Sequence, residues 1–320
     1  MTRKLKLLLP LLLVAAAVVS AQARPPVMDE LQDRKTGVEE YVESFRGSTL
    51  VTEYVVLYRR YYRPEDPNIE IVGTDGSNVE FKDSSPSAPV HIRDGEPYHP
   101  TRHGKLVEGE GGSELIEDET RVRIRLFQNG NDFLLERWMV REMDGSEFLG
   151  ALLGSHQGTR KFQKFLGGPG GERRLVHERM GDGVPELGQR APFDPRTYAT
   201  HIASAYKWDP AEHPERVTLH EGDEGYQLER RDGVLSHWID VPEDPSLALM
   251  PRGLGNPEHS GSIQFLGEQH ILDLRFPERM ETRTRGTDGN LRHQQIAKDI
   301  VISFADPLEF EERLNELFED

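Results

Sequence analysis

The sequence has no cysteine, and beyond its N-terminal stretch it has no apolar run long enough to cross a bilayer. The absence of cysteine excludes disulfides, thiol chemistry and cysteine-based zinc sites. Basic residues are also scarce, since 39 Lys and Arg stand against 56 Asp and Glu, and the formal net charge is −17. Because a negative field repels nucleic acids and anionic surfaces, we expect no nucleic-acid partner.

Residues 1–23 have the pattern of a cleavable secretory signal. Arg3, Lys4 and Lys6 give a basic start, Leu7–Val19 is almost wholly apolar, and Ala21-Gln22-Ala23 offers small residues to a signal peptidase. The apolar core is shorter than the roughly 20 residues that a membrane-spanning helix needs. An uncleaved membrane anchor is the alternative, but the small residues favour cleavage. We therefore expect a protein that is periplasmic or secreted after cleavage and is not integral to a membrane.

Helical and strand patterns follow one another in the N-terminal half. Apolar residues of Asp29–Phe45 recur at helical spacing. Thr49–Tyr62 is apolar and aromatic on both faces, which predicts a strand that is covered on both sides or lines an apolar hollow. Arg121–Leu126 alternates strictly, with its three arginines outward, and Asn129-Gly130 predicts a hairpin to a partner strand over 132–142.

Asp-Gly pairs punctuate the chain and separate further runs of strand composition. Such pairs favour tight hairpin turns, so their recurrence indicates an antiparallel meander and not a βαβ sheet. The pairs are Asp75-Gly76, Asp144-Gly145, Asp182-Gly183, Asp232-Gly233 and Asp288-Gly289.

We predict one β-rich domain over residues 24–320. Its fold class is α+β: a strongly curved antiparallel sheet or an unclosed β-barrel, with a few packing helices. Helical spacing places two of these helices at Pro195–Lys207 and at 307–319. Residues 83–118 are rich in Ser, Pro, Gly, His and Glu, which predicts a long irregular insertion.

Three short motifs suggest chemistry, and each has a plainer interpretation. His99 and His103 have a spacing that can hold zinc on a helix, but Pro100 between them favours an exposed polar loop. In Gly154–Gly158 the serine follows glycine directly, unlike a nucleophile elbow, so we interpret it as a turn. Gly167–Gly171 lacks the Lys-Ser/Thr of a phosphate loop. We predict no catalytic residues, no metal site and no cofactor.

The remaining feature is a set of large apolar strand residues. One interpretation is an ordinary core sealed by helices. The other is a concave sheet whose inner face receives an acyl chain or another apolar ligand. For that second interpretation the predicted lining residues are Tyr54, Val56, Tyr58, Trp138 and Phe148.

The C-terminal segments resemble the last hairpin of the outer-membrane lipoprotein carrier and sorting proteins, the LolA/LolB-like superfamily. The resemblance lies in Phe276–Glu281, the turn Asp288–Leu291, the strand Lys298–Ile302 and the closing element Asp306–Phe310. It implies a LolA-like fold, an unclosed barrel whose concave side is plugged by helices. It also implies binding of lipid or lipoprotein acyl chains without catalysis.

Three hypotheses of function follow. The first is a non-catalytic carrier or sensor, possessing an apolar cavity for a lipid or an acylated protein. The second is an envelope interaction or scaffold protein with a solid interior, whose residues 83–118 contact a protein partner. The third is an exported hydrolase, which no motif supports.

The signal pattern makes a direct prediction. Expression of the full chain in a bacterium with a secretory pathway should yield a mature protein that begins at Arg24, because cleavage is expected after Ala23. Intact-protein mass spectrometry of the exported fraction reads this out. An intact N terminus in the membrane fraction would instead establish the uncleaved anchor.

Overall fold

The computed structural model describes most of the chain beyond the predicted signal. The described residues are 29, 33, 35–86, 88, 91–93, 96–109, 112–140, 146–167, 173–210, 212–222, 225–242, 247–255 and 261–319. The predicted signal, the Asp144-Gly145 turn and residues 168–171 lie outside them.

The described elements are twenty strands, three α-helices and a short 3₁₀ helix at Leu187–Gln189. The α-helices are Lys35–Gly47 (α1), Pro195–Ala205 (α2) and Pro307–Phe318 (α3). The strands are Leu50–Tyr62 (β1), Ile69–Asp75 (β2), Asn78–Asp83 (β3), His91–Arg93 (β4), Glu96–Tyr98 (β5), Arg102–Glu108 (β6), Glu114–Asn129 (β7), Asp132–Val140 (β8), Glu147–His156 (β9), Thr159–Gly167 (β10), Arg173–Met180 (β11), Val217–Gly222 (β12), Gly225–Asp232 (β13), Leu235–Val241 (β14), Met250–Gly255 (β15), Gly261–Leu266 (β16), Gln269–Ile271 (β17), Leu274–Phe276 (β18), Arg279–Arg285 (β19) and Leu291–Phe304 (β20).

Sixteen of the described strands form one antiparallel sheet, as the Asp-Gly punctuation predicted. Its main row runs β11-β10-β9-β8-β7-β1-β20-β19-β16-β15-β14-β13-β12, and β2, β3 and β6 form a branch attached to β7. Within the described residues β11 and β12 each pair with a single neighbour, so the sheet is not closed into a barrel. β4 pairs with β5 and β17 pairs with β18 apart from this sheet.

The predicted alternation sets the two faces of the sheet. In β7, Val122, Ile124 and Leu126 are buried on the inner face, while Arg123 and Arg125 point outward and pair with glutamates. Asn129 pairs with Asp132 across the predicted hairpin. Three of the predicted Asp-Gly turns also join paired strands. Their glycines, at positions 76, 233 and 289, have the positive φ that tight hairpin turns require.

The inner face is concave and is packed by α1 and α2. One apolar cluster includes Leu153 and Phe162 from β9 and β10 together with Leu228 and Ile239 from β13 and β14. A flat sheet between those strands would be roughly 50 Å wide, at about 4.8 Å per strand. Two helices of about 10 Å diameter cannot cover that width. The sheet therefore curves strongly around them.

The third helix lies on the convex face. Phe310, Leu314 and Leu317 of α3 pack against Phe127 and Leu134 of β7 and β8. A Cβ at position 154 of β9 would lie 2.5 Å from a Leu317 methyl carbon, so Gly154 lets the helix approach the sheet closely.

Part of the stretch predicted as an irregular insertion is regular. β6 pairs with β3 and β7, and Val79, Phe81 and Ile116 of these strands form a small buried cluster beside it. Gly104 lies inside β6, and a Cβ there would come within 2.7 Å of Ile116, so the close approach of the neighbouring strand requires glycine at this position.

Two further predictions differ in detail from the structure. The helix predicted over Asp29–Phe45 is assigned as α1 over Lys35–Gly47, with residues 30–32 and 34 outside the described set. Asp182-Gly183 does not join two paired strands, because β11 precedes it and the 3₁₀ helix follows.

Among the described helices, none combines the length and apolarity required to span a bilayer.

Replacement of Leu314 tests the packing of α3. Leu314 is 1% exposed, and Leu314→Ala should lower the free energy of unfolding by about 2–5 kcal/mol because it opens a cavity against the convex face. Leu308, in the same helix, is 66% exposed, so Leu308→Ala should change it by less than about 0.5 kcal/mol. Urea unfolding measures both, and equal losses would contradict the packing described.

Candidate functional site

The concave face is open beside β8–β11, where a cavity of about 770 Å³ lies against the sheet. We call this cavity the trough. Its sheet wall is formed by Met139, Phe148, Phe162, Phe165 and Val176. Its other side is formed by the segment 181–194, which connects β11 to α2 and supplies Pro185 and Arg190. A volume of this size falls in the range of small-molecule sites.

Two glycines shape the sheet wall of the trough. A Cβ at Gly150 would lie 2.7 Å from Met139, and a Cβ at Gly167 would lie 2.7 Å from the Phe148 ring. The side chains of Met139 and Phe148 therefore lie over glycines of neighbouring strands and stay close to the sheet. The trough keeps its depth because these side chains do not extend across it.

The inner face near α1 and α2 is filled. The Tyr54 hydroxyl donates to the carbonyl oxygen of Phe193 at 3.0 Å, and the Tyr198 hydroxyl donates to that of Pro251 at 2.8 Å. Burial raises the pKa of Tyr54 and of Tyr198 well above the usual range, so both phenols stay protonated donors. Phe45 and Phe276 stack nearby, with ring centroids 4.9 Å apart.

The five residues predicted to line a ligand cavity separate into three places. Tyr54 and Val56 are fully buried in the filled core. Phe148 lines the trough, and Tyr58 lines an adjoining cavity that shares Arg137 and Met139 with it.

Trp138 lies on the convex face. Its ring contacts the outward guanidinium of Arg123 at 5.0 Å, and its Nε1 donates to Glu136 at 3.2 Å. The strict alternation of β8 explains this position, because Arg137 and Met139 on either side face inward. The structure therefore brings Tyr58 and Phe148 to the open part of the concave face, leaves Tyr54 and Val56 in its filled part, and places Trp138 on the opposite face.

Sequence reasoning missed the basic lining of the trough. In β8 the inward row Leu135, Arg137, Met139 continues the row of Val122, Ile124 and Leu126 across the β7–β8 pairing. Arg137 could have been found from the sequence, because it is a charged residue at a strand position whose side chain faces inward. Arg190 reaches the trough from an irregular segment, so no periodic pattern marked it.

Arg137 and Arg190 lie over aromatic rings at the edge of the trough. The Arg137 guanidinium lies 5.6 Å from the Tyr58 ring centroid, and that of Arg190 lies 5.2 Å from that of Phe162. Burial lowers the pKa of Arg190, and the positive charge of Arg137 lowers it further. Burial raises the pKa of Tyr58, although both arginines oppose that effect.

The adjoining cavity, of about 560 Å³, is more polar. Arg102 at its edge is neutralised by Asp118 at 2.5 Å and also donates to the Tyr62 hydroxyl at 2.7 Å. The rows of β19 and β20 contribute Thr282, Thr284 and other polar residues to it. This cavity therefore extends the trough into a wetter region.

A larger cavity, of about 1030 Å³, lies on the convex side where the β2–β3–β6 branch leaves the main row. Its charges cancel one another, since Arg59 pairs with Glu119 at 2.7 Å and with Glu117 at 3.7 Å. Its walls hold few large apolar side chains. Despite its size, we favour the trough as a ligand site because apolar walls with a few polar groups are typical of such sites.

The serine-containing turn does not form a nucleophile and base. Ser155 and His156 are consecutive in β9, so their side chains lie on opposite faces of the sheet. His156 contacts the Phe318 ring of α3 at 5.8 Å. Of the segment interpreted as a turn, residues 154–156 belong to β9, and only Gln157 and Gly158, which have positive φ, form the turn that closes the β9–β10 hairpin. Within the described residues, no three His, Asp or Glu side chains form a group that could hold a metal ion.

The fold is similar to that of two solved structures. One is a DUF1329 family protein from Desulfovibrio piger, with 12% sequence identity, a TM-score of 0.33, and coverage of 89% of this chain and 98% of that one. The other is a LolA superfamily protein from Nitrosomonas europaea, with 10% identity, a TM-score of 0.32, and coverage of 86% and 96%. No family model matches the sequence, and no curated protein matches it.

Two tyrosines of β1 test the division between filled core and open trough. Tyr54→Phe leaves the buried Phe193 carbonyl without its donor and should cost about 1–3 kcal/mol of unfolding free energy. Tyr58, on the same face, has a hydroxyl that accepts from Arg137 at 3.4 Å, so Tyr58→Phe should cost less than about 1 kcal/mol. Thermal and urea unfolding measure both. A larger loss for Tyr58→Phe would contradict the division.

Proposed function

We propose that the protein is an exported, non-catalytic carrier or sensor that binds a lipid, or the acyl chain of an acylated protein, in the trough. The observation that carries the proposal is the open apolar volume between β8–β11 and the segment 181–194. An acyl chain needs a dry apolar wall and no cofactor. Each methylene group that it buries contributes about 0.8 kcal/mol.

Side-chain chemistry supports this use of the trough. Phe148, Phe162 and Phe165 present aromatic surface to one side of the cavity, and Met139 adds a flexible thioether. Methionine adapts its shape to different partners, which suits a site for chains of variable length. Export is proposed from the signal pattern of residues 1–23.

A scaffold with a solid interior is the competing function. The filled region around Tyr54 and Phe193 agrees with it, but the same concave face remains open beyond Tyr58. Part of the 83–118 stretch that this hypothesis reserved for a protein partner is β6, which is paired on both edges within the sheet. We therefore favour lipid binding.

Lipid extraction tests the proposal. The exported protein, purified without detergent, should release a lipid on solvent extraction, detected by mass spectrometry, and should take up a fluorescent fatty acid. Ala151→Trp places an indole in the trough and should abolish both. Val301→Trp adds the same ring at a residue 58% exposed on the convex face, so it should leave both unchanged.

The control separates site blockage from general damage. Thermal unfolding of the two tryptophan variants should be similar, because both positions have room for the ring. If the parent protein contains no lipid and takes up no fatty acid, the proposal is wrong. Unchanged uptake by Ala151→Trp would place the ligand elsewhere.

A further inference from the structure

The trough is basic, although the protein as a whole is strongly acidic. Among the residues that the structure describes, its lining includes Arg137, Lys164, Arg179 and Arg190 and no carboxylate. Among the described residues, none of these four lies within ion-pair distance of an Asp or Glu. The chain has 56 Asp and Glu residues, so the absence of acids from this lining is not explained by composition.

The convex cavity shows the opposite arrangement. Its basic residues Arg59, Lys105 and Arg121 are accompanied by four carboxylates, two of which belong to Glu117 and Glu119. Arg59 makes ion pairs with both glutamates. Arg59 is thus neutralised within the protein, and carboxylates share the lining with Lys105 and Arg121, whereas the described lining of the trough offers its basic residues no such partner.

Arg137 and Arg190 differ from solvated surface arginines. Both are half-buried, and each guanidinium lies over an aromatic ring of the concave face. Burial lowers the pKa of Arg190, and the nearby positive charge of Arg137 lowers it further. Two partly desolvated cations in this arrangement are stabilised by an anion between them, because charge-assisted hydrogen bonds strengthen as water is excluded.

We infer that the ligand of the trough is an acyl amphiphile with an anionic head, held between Arg137 and Arg190 while its chain lies against Phe148, Phe162 and Phe165. This inference rests on the proposed lipid-binding function and specifies its substrate class. Guanidinium groups bind carboxylate and phosphate oxygens in a planar, two-bond geometry, so either head fits. Lys164 and Arg179 are exposed at the mouth of the trough and add a positive field that attracts such a head.

Matched ligand pairs test the inference. Palmitate is compared with hexadecanol, and phosphatidylglycerol with a diacylglycerol of equal chain length, each by displacement of a neutral fluorescent acyl probe. The parent protein should bind the anionic member of at least one pair about 10- to 100-fold more tightly, the factor expected for hydrogen bonds to charged groups. A preference confined to palmitate identifies a carboxylate head, and one confined to phosphatidylglycerol identifies a phosphate.

Two variants and a charge-matched control complete the test. Arg137→Gln and Arg190→Gln should each remove about tenfold of the affinity for the anionic ligand and leave that for the neutral ligand within about twofold. Arg121→Gln, on the convex face of β7, removes the same charge and should change neither. Thermal unfolding verifies that each variant is folded.

The outcomes distinguish the two levels of the proposal. If the parent protein binds neutral and anionic ligands equally, or if the trough variants behave like Arg121→Gln, the anionic head is wrong while lipid binding stands. If the parent protein binds neither member of either pair and takes up no acyl probe, lipid binding itself fails, and the inference fails with it.

Discussion

Burial of the sheet's inner face by α1 and α2 is the interaction on which the rest of the structure depends. The two helices pack the concave surface around Tyr54, Phe193 and Tyr198, and their buried hydrogen bonds fix that end of the interior. Neither helix contributes a described residue to the lining of the trough on β8–β11. Because the sheet curves around the helices and remains unclosed, the surface beyond them becomes a hollow with apolar walls. The trough therefore exists because the two helices cover only part of the inner face of a wide sheet.

Charge is divided between the two faces of the same sheet. On the convex face, arginines such as Arg123 and Arg125 pair with glutamates and lie over aromatic rings. On the concave face, Arg137 and Arg190 lie over rings, and the part of the trough lining that the structure describes holds no carboxylate. A basic hollow inside an acidic protein concentrates anions locally. This division of charge agrees with the proposed ligand, which has an acyl chain and an anionic head.

The antiparallel fold could be predicted from the sequence because its hairpins are local. Strict alternation in Arg121–Leu126, the Asn-Gly turn and three of the Asp-Gly turns fix register over a few residues, and the structure confirms these. β6 was not predicted because its sequence contains Gly104, which is unusual in a strand. The reason for that glycine is the close approach of Ile116 on a neighbouring strand, which the local sequence does not reveal. The candidate site was harder still. Phe148 lines the trough and Tyr58 lines the adjoining cavity, but Trp138 is on the other face. The choice between filled core and open trough depends on where α2 lies.

Photo-crosslinking with a fatty acid that carries a diazirine near its methyl end tests the central claim most directly. After irradiation and proteolysis, mass spectrometry of the peptides locates the chain on the protein. We expect adducts on β9 and β10, at residues such as Phe148, Phe162 and Phe165, and their loss when unlabelled fatty acid is added in excess. Adducts confined to the convex face, or labelling that excess ligand does not reduce, would contradict an acyl-binding trough.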